Sequence, residues 1–199
     1  MSRELEAARE LVRMLEEKEK DRKVELSKLS AGDVFKIGSH DFIVLEHGID
    51  VTAVISKNLM TGNEEFGNSI NYKDSNIRRI IEEDILPEIE SEIGSENIIE
   101  HEVYLTSVDM QNEFGIYKCK MRPITFDEAR LYNNLIVNKE LPDWYWTCTP
   151  WSIEDRGWNY SIAVVSPSGF IDDALYDDGS GVRPFCILKS NIFVSKVEG

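Results

Sequence analysis

Residues 144–170 read WYWTCTPWSIEDRGWNYSIAVVSPSGF, and this stretch contains all four tryptophans of the 199-residue chain. Three interpretations fit so many indoles in one segment: a catalytic pocket, a sugar-stacking platform, or the core of a fold. In a loop-rich fold, large flat rings fill the space between irregular backbones. We favour this core interpretation, and we expect the indole N–H groups to bond to loop carbonyls.

The composition is that of a folded and strongly acidic protein. Hydrophobic residues make up 42% of the chain, and the formal net charge is −15. The apolar runs are too short to span a bilayer, and the polar opening MSRELEAARE predicts no signal peptide. Three cysteines without CxxC spacing argue against a disulfide framework or zinc ribbon. We expect a cytoplasmic protein of a bacterial host cell, without a membrane partner.

The acidic residues are concentrated between positions 82 and 102, where nine carboxylates occur without a Lys or Arg. Such a surface repels nucleic acid, because duplex binding needs cations that displace the counterions of phosphates. It suits a basic protein partner, or it serves solubility alone. We predict a secondary acidic surface that consists of Glu82, Glu83, Asp84, Glu88, Glu90 and Glu92.

The apolar pattern divides the chain into a charged N-terminal helix at 1–26 and a single α+β domain at 27–199. In the helix, Leu5, Ala8, Val12 and Leu15 follow 3-4-3 spacing. About two heptads are too few for an independent coiled coil. The helix therefore either packs on its own domain or forms a homodimer arm.

Within the domain, short β-rich runs alternate with turns and two helical stretches. FIVLE and VTAVIS flank HGID as in a hairpin, and residues 61–73 read as a loop. A helix is predicted from Asp74 or Ser75 to Pro87, which ends or kinks it. A second capped helix is predicted to begin near Thr125.

Three motifs carry a resemblance to a known family: YWTCTP at 145–150, SPSG at 166–169 and GVRPF at 181–185. Over residues 27–195 they resemble the Trp-Trp-Leu-Arg-Ser-Pro, Ser-Asp-Gly and Gly-Val-Arg-Pro-Ala motifs of an uncharacterised family of bacterial and phage domains. That family is similar to the C-type-lectin-like fold of formylglycine-generating enzymes and phage receptor-binding proteins. The resemblance implies loop-rich antiparallel sheets with two or three flanking helices.

The same resemblance implies which residues support the fold. They are Trp146, Pro150, Gly181, Arg183 and Pro184. We expect Arg183 to be a buried cation paired with Asp172, Asp173 or Asp177. The chain departs from the family at 147–148, where Thr-Cys replaces Leu-Arg, so any ligand site that this arginine supports in relatives is altered here.

Catalytic and metal chemistry find little support in the sequence. Cys148 would need a nearby base and a lowered thiol pKa, yet the three histidines lie far upstream and no protease signature surrounds it. We predict a buried, inert thiol. Asp172, Asp173, Asp177 and Asp178 suit calcium by ligand type but lack the alternation of an EF-hand loop. No phosphate-binding glycine motif occurs, and we predict no enzyme activity, cofactor or metal.

We therefore predict a non-catalytic binding protein of a phage or mobile element. The predicted binding face consists of Trp151, Asp155, Trp158, Asp173, Tyr176 and Asp177. Its charge suggests an acidic, anti-CRISPR-like inhibitor of a basic, nucleic-acid-binding host protein, without nucleic-acid binding of its own. A carbohydrate- or small-ligand-binding lectin-like module is the first alternative, and a cysteine-dependent enzyme is the second.

Overall fold

Strand pairing organises an α+β structure that is rich in sheet. The computed structural model describes Leu5, Arg9, Glu10, Val12 and residues 23–197. Leu5, Arg9, Glu10 and Val12 are helical, and the other positions of the predicted arm up to 22 lie outside the described residues. Whether the arm docks on its own domain or on a second copy stays a prediction. The packed domain includes Lys23 onward, because residues 23–25 pair with the sheet and Leu26 is fully buried.

The largest sheet has seven strands, and all its neighbouring pairs are antiparallel. In sheet order, with strands numbered along the chain, they are β1 (Lys23–Glu25), β14 (Phe193–Lys196), β2 (Val34–Ile37), β3 (His40–His47), β4 (Val51–Ser56), β13 (Pro184–Lys189) and β8 (Met121–Pro123). The predicted hairpin is confirmed, since β3 and β4 pair around the HGID turn.

A second sheet has five strands and contains the tryptophan-rich segment. In sheet order they are β11 (Ile171–Leu175), β10 (Ser161–Val165), β9 (Tyr145–Pro150), β12 (Gly179–Val182) and β5 (Thr61–Glu65). The β9–β12 pair is parallel and the other pairs are antiparallel. A separate antiparallel hairpin joins β6 (His101–Tyr104) to β7 (Ile116–Cys119). Residues Thr61–Glu65 form β5, which corrects the prediction that all of 61–73 is a loop.

The helical segments are short, apart from one long run. That run consists of α1 (Asn76–Ile80), a π-helical turn (Ile81–Ile85) and α2 (Leu86–Ile93); later come α3 (Phe126–Leu131) and α4 (Asn133–Ile136). Single 3-10 turns occupy Leu26–Lys28, Tyr72–Asp74, Ser95–Asn97 and Glu154–Arg156. Among the described residues, no helix has the length and apolar character needed to cross a membrane.

Both predicted helix starts are confirmed. The hydroxyl of Ser75 accepts a hydrogen bond from the Arg78 N–H, as an N-cap does. Thr125 and Glu128 form a reciprocal capping box at the start of α3.

The long helical run continues through Pro87 to Ile93, so of the two predicted effects of Pro87, the end of the helix is wrong and a local distortion of it is observed. Proline has no N–H, and its ring collides with the carbonyl four residues earlier in a regular helix. Here the backbone widens just before Pro87, and the Leu86 N–H donates to the Ile81 carbonyl, five residues back. The π-helical turn thus accommodates the proline.

Two hydrophobic cores lie on opposite faces of β3. Phe42 and Val44 point into the larger core, together with α1, α2 and part of the five-stranded sheet. Ile43 and Leu45 point into the smaller core, together with α3 and α4. The continuous apolar run of β3 follows from this position, because both faces of the strand are covered.

Candidate functional site

A groove lies on the five-stranded sheet, beside its edge strand β11. Its volume is about 360 Å3, and its lining includes one tryptophan and four aspartates. They are Asp143, Trp144, Asp172, Asp173 and Asp178. We call this feature the Trp144 groove.

The backbone around Trp144 is fixed at two points. The Asp143 carboxylate accepts a hydrogen bond of 2.8 Å from the Trp144 N–H. The Trp144 carbonyl accepts a bond of 2.7 Å from the Gly181 N–H, next to the parallel pairing of β12 with β9. A Cβ at Gly181 would lie 2.4 Å from the Leu59 side chain, so glycine permits this close approach.

The Trp144 ring remains available to a ligand. It is half-buried, and the exposed Phe170 ring meets it edge-on at a centroid distance of 6.1 Å. Its indole N–H makes no hydrogen bond to any residue of the described chain. Part of the ring packs against the larger core, and the rest contributes to the lining of the groove.

Strand pairing and a tight turn supply the carboxylates on the other side. Asp172 and Asp173 lie on β11, opposite Val164 and Ala163 of β10. The Asp178 carboxylate accepts a hydrogen bond of 3.1 Å from the Leu175 N–H, in the turn that joins β11 to β12. These short-range contacts hold the three carboxylates without neutralising their charge.

The groove is electrostatically uncompensated. Within residues 23–197, none of its four carboxylates lies within 4.0 Å of a Lys, Arg or His nitrogen. Four unpaired carboxylates beside an indole face attract a cation, through charge and through the ring quadrupole. The arrangement can bind an ammonium or guanidinium group.

The sequence-predicted binding residues divide between two regions. Trp151, Asp155 and Trp158 lie in the 151–160 loop before β10, whereas Asp173, Tyr176 and Asp177 lie on or after β11. The Tyr176 N–H donates to the Tyr160 carbonyl, which joins the two regions. Of the six, Asp173 lines the Trp144 groove and the other five do not.

Sequence reasoning missed Asp143 and Trp144 as site residues. Trp144 was assigned to the core with the other tryptophans, and nothing in the linear order places it beside β11. A usable signal existed in the Asp-Trp pair and the later cluster of four aspartates. β9 pairs with β10, and β10 pairs with β11; only this strand order brings the two groups of residues together.

The core interpretation holds for Trp146 and, in part, for Trp144, which packs against the larger core, and it fails for Trp158. Trp146 is fully buried, and its indole N–H donates to the Glu64 carbonyl at 2.7 Å. Trp158 is 42% exposed; its indole N–H donates to the Ser161 hydroxyl at 3.0 Å, and its ring lies 5.2 Å from the Tyr160 ring. The remaining predicted structural residues, Pro150, Gly181, Arg183 and Pro184, are buried.

Arg183 has a different partner set from the one expected. Its guanidinium donates to the Ser56 and Ile136 carbonyls at 2.7 and 2.6 Å and to the Tyr145 hydroxyl at 3.1 Å. No carboxylate of the described residues pairs with it, which corrects the assignment to Asp172, Asp173 or Asp177. Burial lowers the pKa of Arg183, although Tyr145 opposes this shift. Arg183 thus joins the ends of β4 and α4 to the start of β9 from the inside.

The three cysteines are free and buried. Burial raises the pKa of Cys119 to about 11 and the pKa values of Cys148 and Cys186 to about 12. Thiolate is the reactive form of cysteine, and it is scarce at neutral pH when the pKa is raised. The prediction of an inert Cys148 is confirmed in this respect.

The predicted acidic surface is less charged than its sequence suggests. Glu82 pairs with Arg78 at 2.6 Å, and Glu90 pairs with Lys120 at 2.7 Å. Glu88 bonds to the His40 ring at 2.8 Å. The remaining predicted members, Glu83, Asp84 and Glu92, are exposed along the helical run. Arg78, one turn earlier in the same helical run, and the distant Lys120 therefore neutralise part of a stretch that contains no Lys or Arg of its own.

Within the described residues, no group of three or more His, Cys, Asp or Glu side chains is arranged to hold a metal ion. Comparison of the chain with protein-family models, curated proteins and solved structures finds no match.

Proposed function

We propose that this protein is a binding protein on a C-type-lectin-like scaffold, and that the Trp144 groove binds a basic side chain of a protein partner without catalysing a reaction. The observation that carries the proposal is a groove whose lining contains Trp144 and four aspartates without an ion-pair partner among the described residues. Arginine suits the groove best, because its planar guanidinium stacks on aromatic rings and its N–H groups pair with carboxylates. Tryptophan and arginine are also the residues most enriched among interface hot spots.

The acidic helix provides a second contact region in this proposal. Glu83, Asp84 and Glu92 are exposed, and such charges mainly accelerate association and set its salt dependence. A partner that normally binds nucleic acid would present the basic surface required. In this version the protein is an acidic inhibitor, of the kind found in anti-defence systems of phages and mobile elements.

The groove is tested with a short oligoarginine peptide as the probe. Binding is followed by tryptophan fluorescence at low and at physiological salt. Trp144→Ala should weaken binding ~3- to 30-fold, since a cation–π contact contributes about 0.5–2 kcal/mol. Asp172→Asn with Asp173→Asn should weaken it further and flatten its salt dependence. Asp177→Asn is the matched control, because this exposed aspartate does not line the groove.

Equal losses in the Asp177 variant and the groove variants would show that net charge alone attracts the peptide. The partner itself is sought by pull-down from a host lysate, with the wild-type chain and Trp144→Ala in parallel. A basic protein that the wild type retains at low salt, and the variant releases, supports the proposal.

One observation favours carbohydrate binding as a second candidate. The exposed Trp158 ring lies beside Tyr160 at 5.2 Å, with an interplanar angle of 33°. Exposed aromatic faces of this kind stack on sugar rings. A glycan screen with the wild type and Trp158→Ala tests it: a glycan that binds the first and not the second would establish the lectin-like function.

A further inference from the structure

A chain of hydrogen bonds joins three side chains at the end of the β3–β4 hairpin, away from the Trp144 groove. The Ser190 hydroxyl lies 2.8 Å from the Thr52 hydroxyl, which lies 2.9 Å from Nδ1 of His47. Nε2 of His47 lies 2.7 Å from the Leu29 carbonyl oxygen. A serine, a threonine and a histidine thus form one continuous relay.

The carbonyl at the end of the relay fixes the direction of every bond. A carbonyl oxygen only accepts, so Nε2 of His47 carries a hydrogen and donates to Leu29. In the neutral imidazole, Nδ1 is then an acceptor, and the Thr52 hydroxyl donates to it. The Thr52 oxygen in turn accepts from the Ser190 hydroxyl. The Ser190 hydroxyl therefore directs its hydrogen towards Thr52 and leaves its oxygen lone pairs outside the hydrogen-bond chain.

The backbone holds Ser190 in place. Its N–H donates to the Asp50 carbonyl at 3.0 Å, and its carbonyl accepts from the Ser27 N–H at 2.8 Å. Thr52 is fully buried and Ser190 is 7% exposed, whereas His47 is exposed, so water reaches the relay at its histidine end. Preorganisation of this kind is what nucleophilic catalysis requires of a serine and its base.

The serine end opens into a groove of about 740 Å3, which also contains His47, Asp50, Lys189 and Asn191. The Asn191 side-chain amide makes no hydrogen bond to the described part of the chain. A free amide N–H beside a nucleophile can stabilise the oxyanion of a tetrahedral intermediate. The lining of this groove therefore contains the Ser190 hydroxyl, the His47 ring and the Asn191 amide.

We propose that Ser190 is a nucleophile that accepts acyl groups from small carboxylic esters. Its Oγ forms a bond to the ester carbonyl carbon, while its proton passes to Thr52 and the Thr52 proton passes to His47. The carbon–oxygen bond to the alcohol then breaks, and His47 returns a proton through the relay to the departing alkoxide. Water attacks the acyl-serine by the same route and releases the acid. This site is independent of the proposed binding function.

The test is acetylation of the full chain by p-nitrophenyl acetate. Release of p-nitrophenolate is followed by absorbance, and the acetylated residue is located by peptide mass spectrometry. The wild type should gain an acetyl group at Ser190, and Ser190→Ala should not. His47→Gln should slow this acetylation ~100-fold, the usual scale of general base catalysis. Glutamine can still offer one acceptor and one donor, but it cannot take up a proton.

Two substitutions at Thr52 separate the relay from simple packing. Thr52→Val keeps the shape and removes the hydroxyl, so acetylation should slow as in His47→Gln. Thr52→Ser keeps the hydroxyl and should retain most of the rate. Circular dichroism and thermal melting confirm that each variant is folded. The proposal is overturned if the wild type gains no acetyl group at Ser190, or if His47→Gln and Thr52→Val react as fast as the wild type.

Discussion

At the scale of single residues, the ion pair of Arg122 and Glu128 is the interaction most sensitive to substitution. Arg122 is 3% exposed and donates two bonds of 2.7 Å to Glu128. Removal of one partner leaves a buried charge without compensation, which costs about 3–5 kcal/mol. We therefore expect Glu128→Ala to lower the free energy of unfolding by that amount, measured in urea. The double variant Arg122→Met with Glu128→Met should recover most of the loss.

The pH dependence of this effect follows from the pKa of Glu128. Burial alone would raise it, but the bonds and charge of Arg122, with those from Thr125, lower it below its ordinary value. A lowered folded-state pKa contributes stability above the unfolded pKa, about 4.3 for glutamate, and loses it as pH falls through the folded value. The stability difference between wild type and Glu128→Ala should thus be constant near neutrality and shrink below about pH 4. A difference that grows on acidification would contradict this assignment.

The cysteines give a second prediction at this scale. Because burial raises the pKa of Cys148 to about 12, iodoacetamide at neutral pH should leave it unmodified in the folded chain. Cys119 and Cys186 should behave in the same way, and all three should react in urea. Mass spectrometry counts the alkylated sites. Rapid modification of Cys148 in the native protein would revive the cysteine-dependent enzyme as an explanation.

Arg183 shows why partners of single residues escape sequence reasoning. Its burial follows from the GVRPF motif, and the structure agrees. Its acceptors are the carbonyls of Ser56 and Ile136, which lie 127 and 47 positions away in the chain. Any residue has a backbone carbonyl, so no residue type marks these positions. A sequence shows where carboxylates are, so a carboxylate was the only kind of partner for Arg183 that the sequence could suggest.

At the scale of elements, apolar pattern predicted the strands and helices that face the core. The β3–β4 hairpin, the Ser75 cap and the Thr125 cap were all foreseeable, because burial on one or both faces leaves a pattern. β5 was not foreseeable. It is an edge strand with the sequence TGNEE, and its backbone pairing with β12 needs no apolar side chain.

The π-helical turn is a second feature that the sequence does not reveal, because its residues continue a regular helical pattern. Ile77, Ile81, Ile85 and Ile89 recur every four residues, and all four are buried. At 3.6 residues per turn, such a repeat drifts around the helix. The wider π-helical turn offsets this drift, so one face of the run carries all four isoleucines into the core.

This geometry gives the prediction for the helical run. Ile81→Ala should destabilise the protein by about 2–5 kcal/mol, since it opens a cavity in the larger core. Ile80→Ala is the matched control, because Ile80 is only partly buried beside the same core, and it should cost less. Urea unfolding of both variants provides the comparison. Equal losses at the two positions would mean that the π-helical turn does not set which isoleucines face the core.

At the scale of the whole molecule, the excess of negative charge is the dominant feature. The chain carries 37 Asp and Glu against 22 Lys and Arg. The total was visible in the sequence, but its distribution was not. Arg78 pairs within the acidic helical run and folding brings Lys120 to it, whereas no Lys, Arg or His of the described residues lines the Trp144 groove. The stretch with the most carboxylates in the sequence is therefore partly neutralised in the fold, whereas the aspartates that line the Trp144 groove are not.

This distribution predicts how salt affects stability. Net repulsion opposes folding, and the Debye length falls from ~30 Å at 0.01 M salt to ~8 Å at 0.15 M. Apart from Arg122–Glu128, the ion pairs of the described residues are partly exposed, and exposed pairs contribute little. We therefore expect Tm to rise as NaCl is added over this range, because screening weakens the repulsion among carboxylates more than the attraction within ion pairs.

Calcium chloride at matched ionic strength is the control for this measurement. If screening alone acts, the two salts should give the same Tm at each ionic strength. An additional rise with calcium would mean that a cation binds the folded chain specifically, and its loss in Asp172→Asn with Asp173→Asn would place that cation in the Trp144 groove. A fall in Tm with NaCl would contradict the prediction, since it would mean that the ion pairs outweigh the repulsion among the carboxylates.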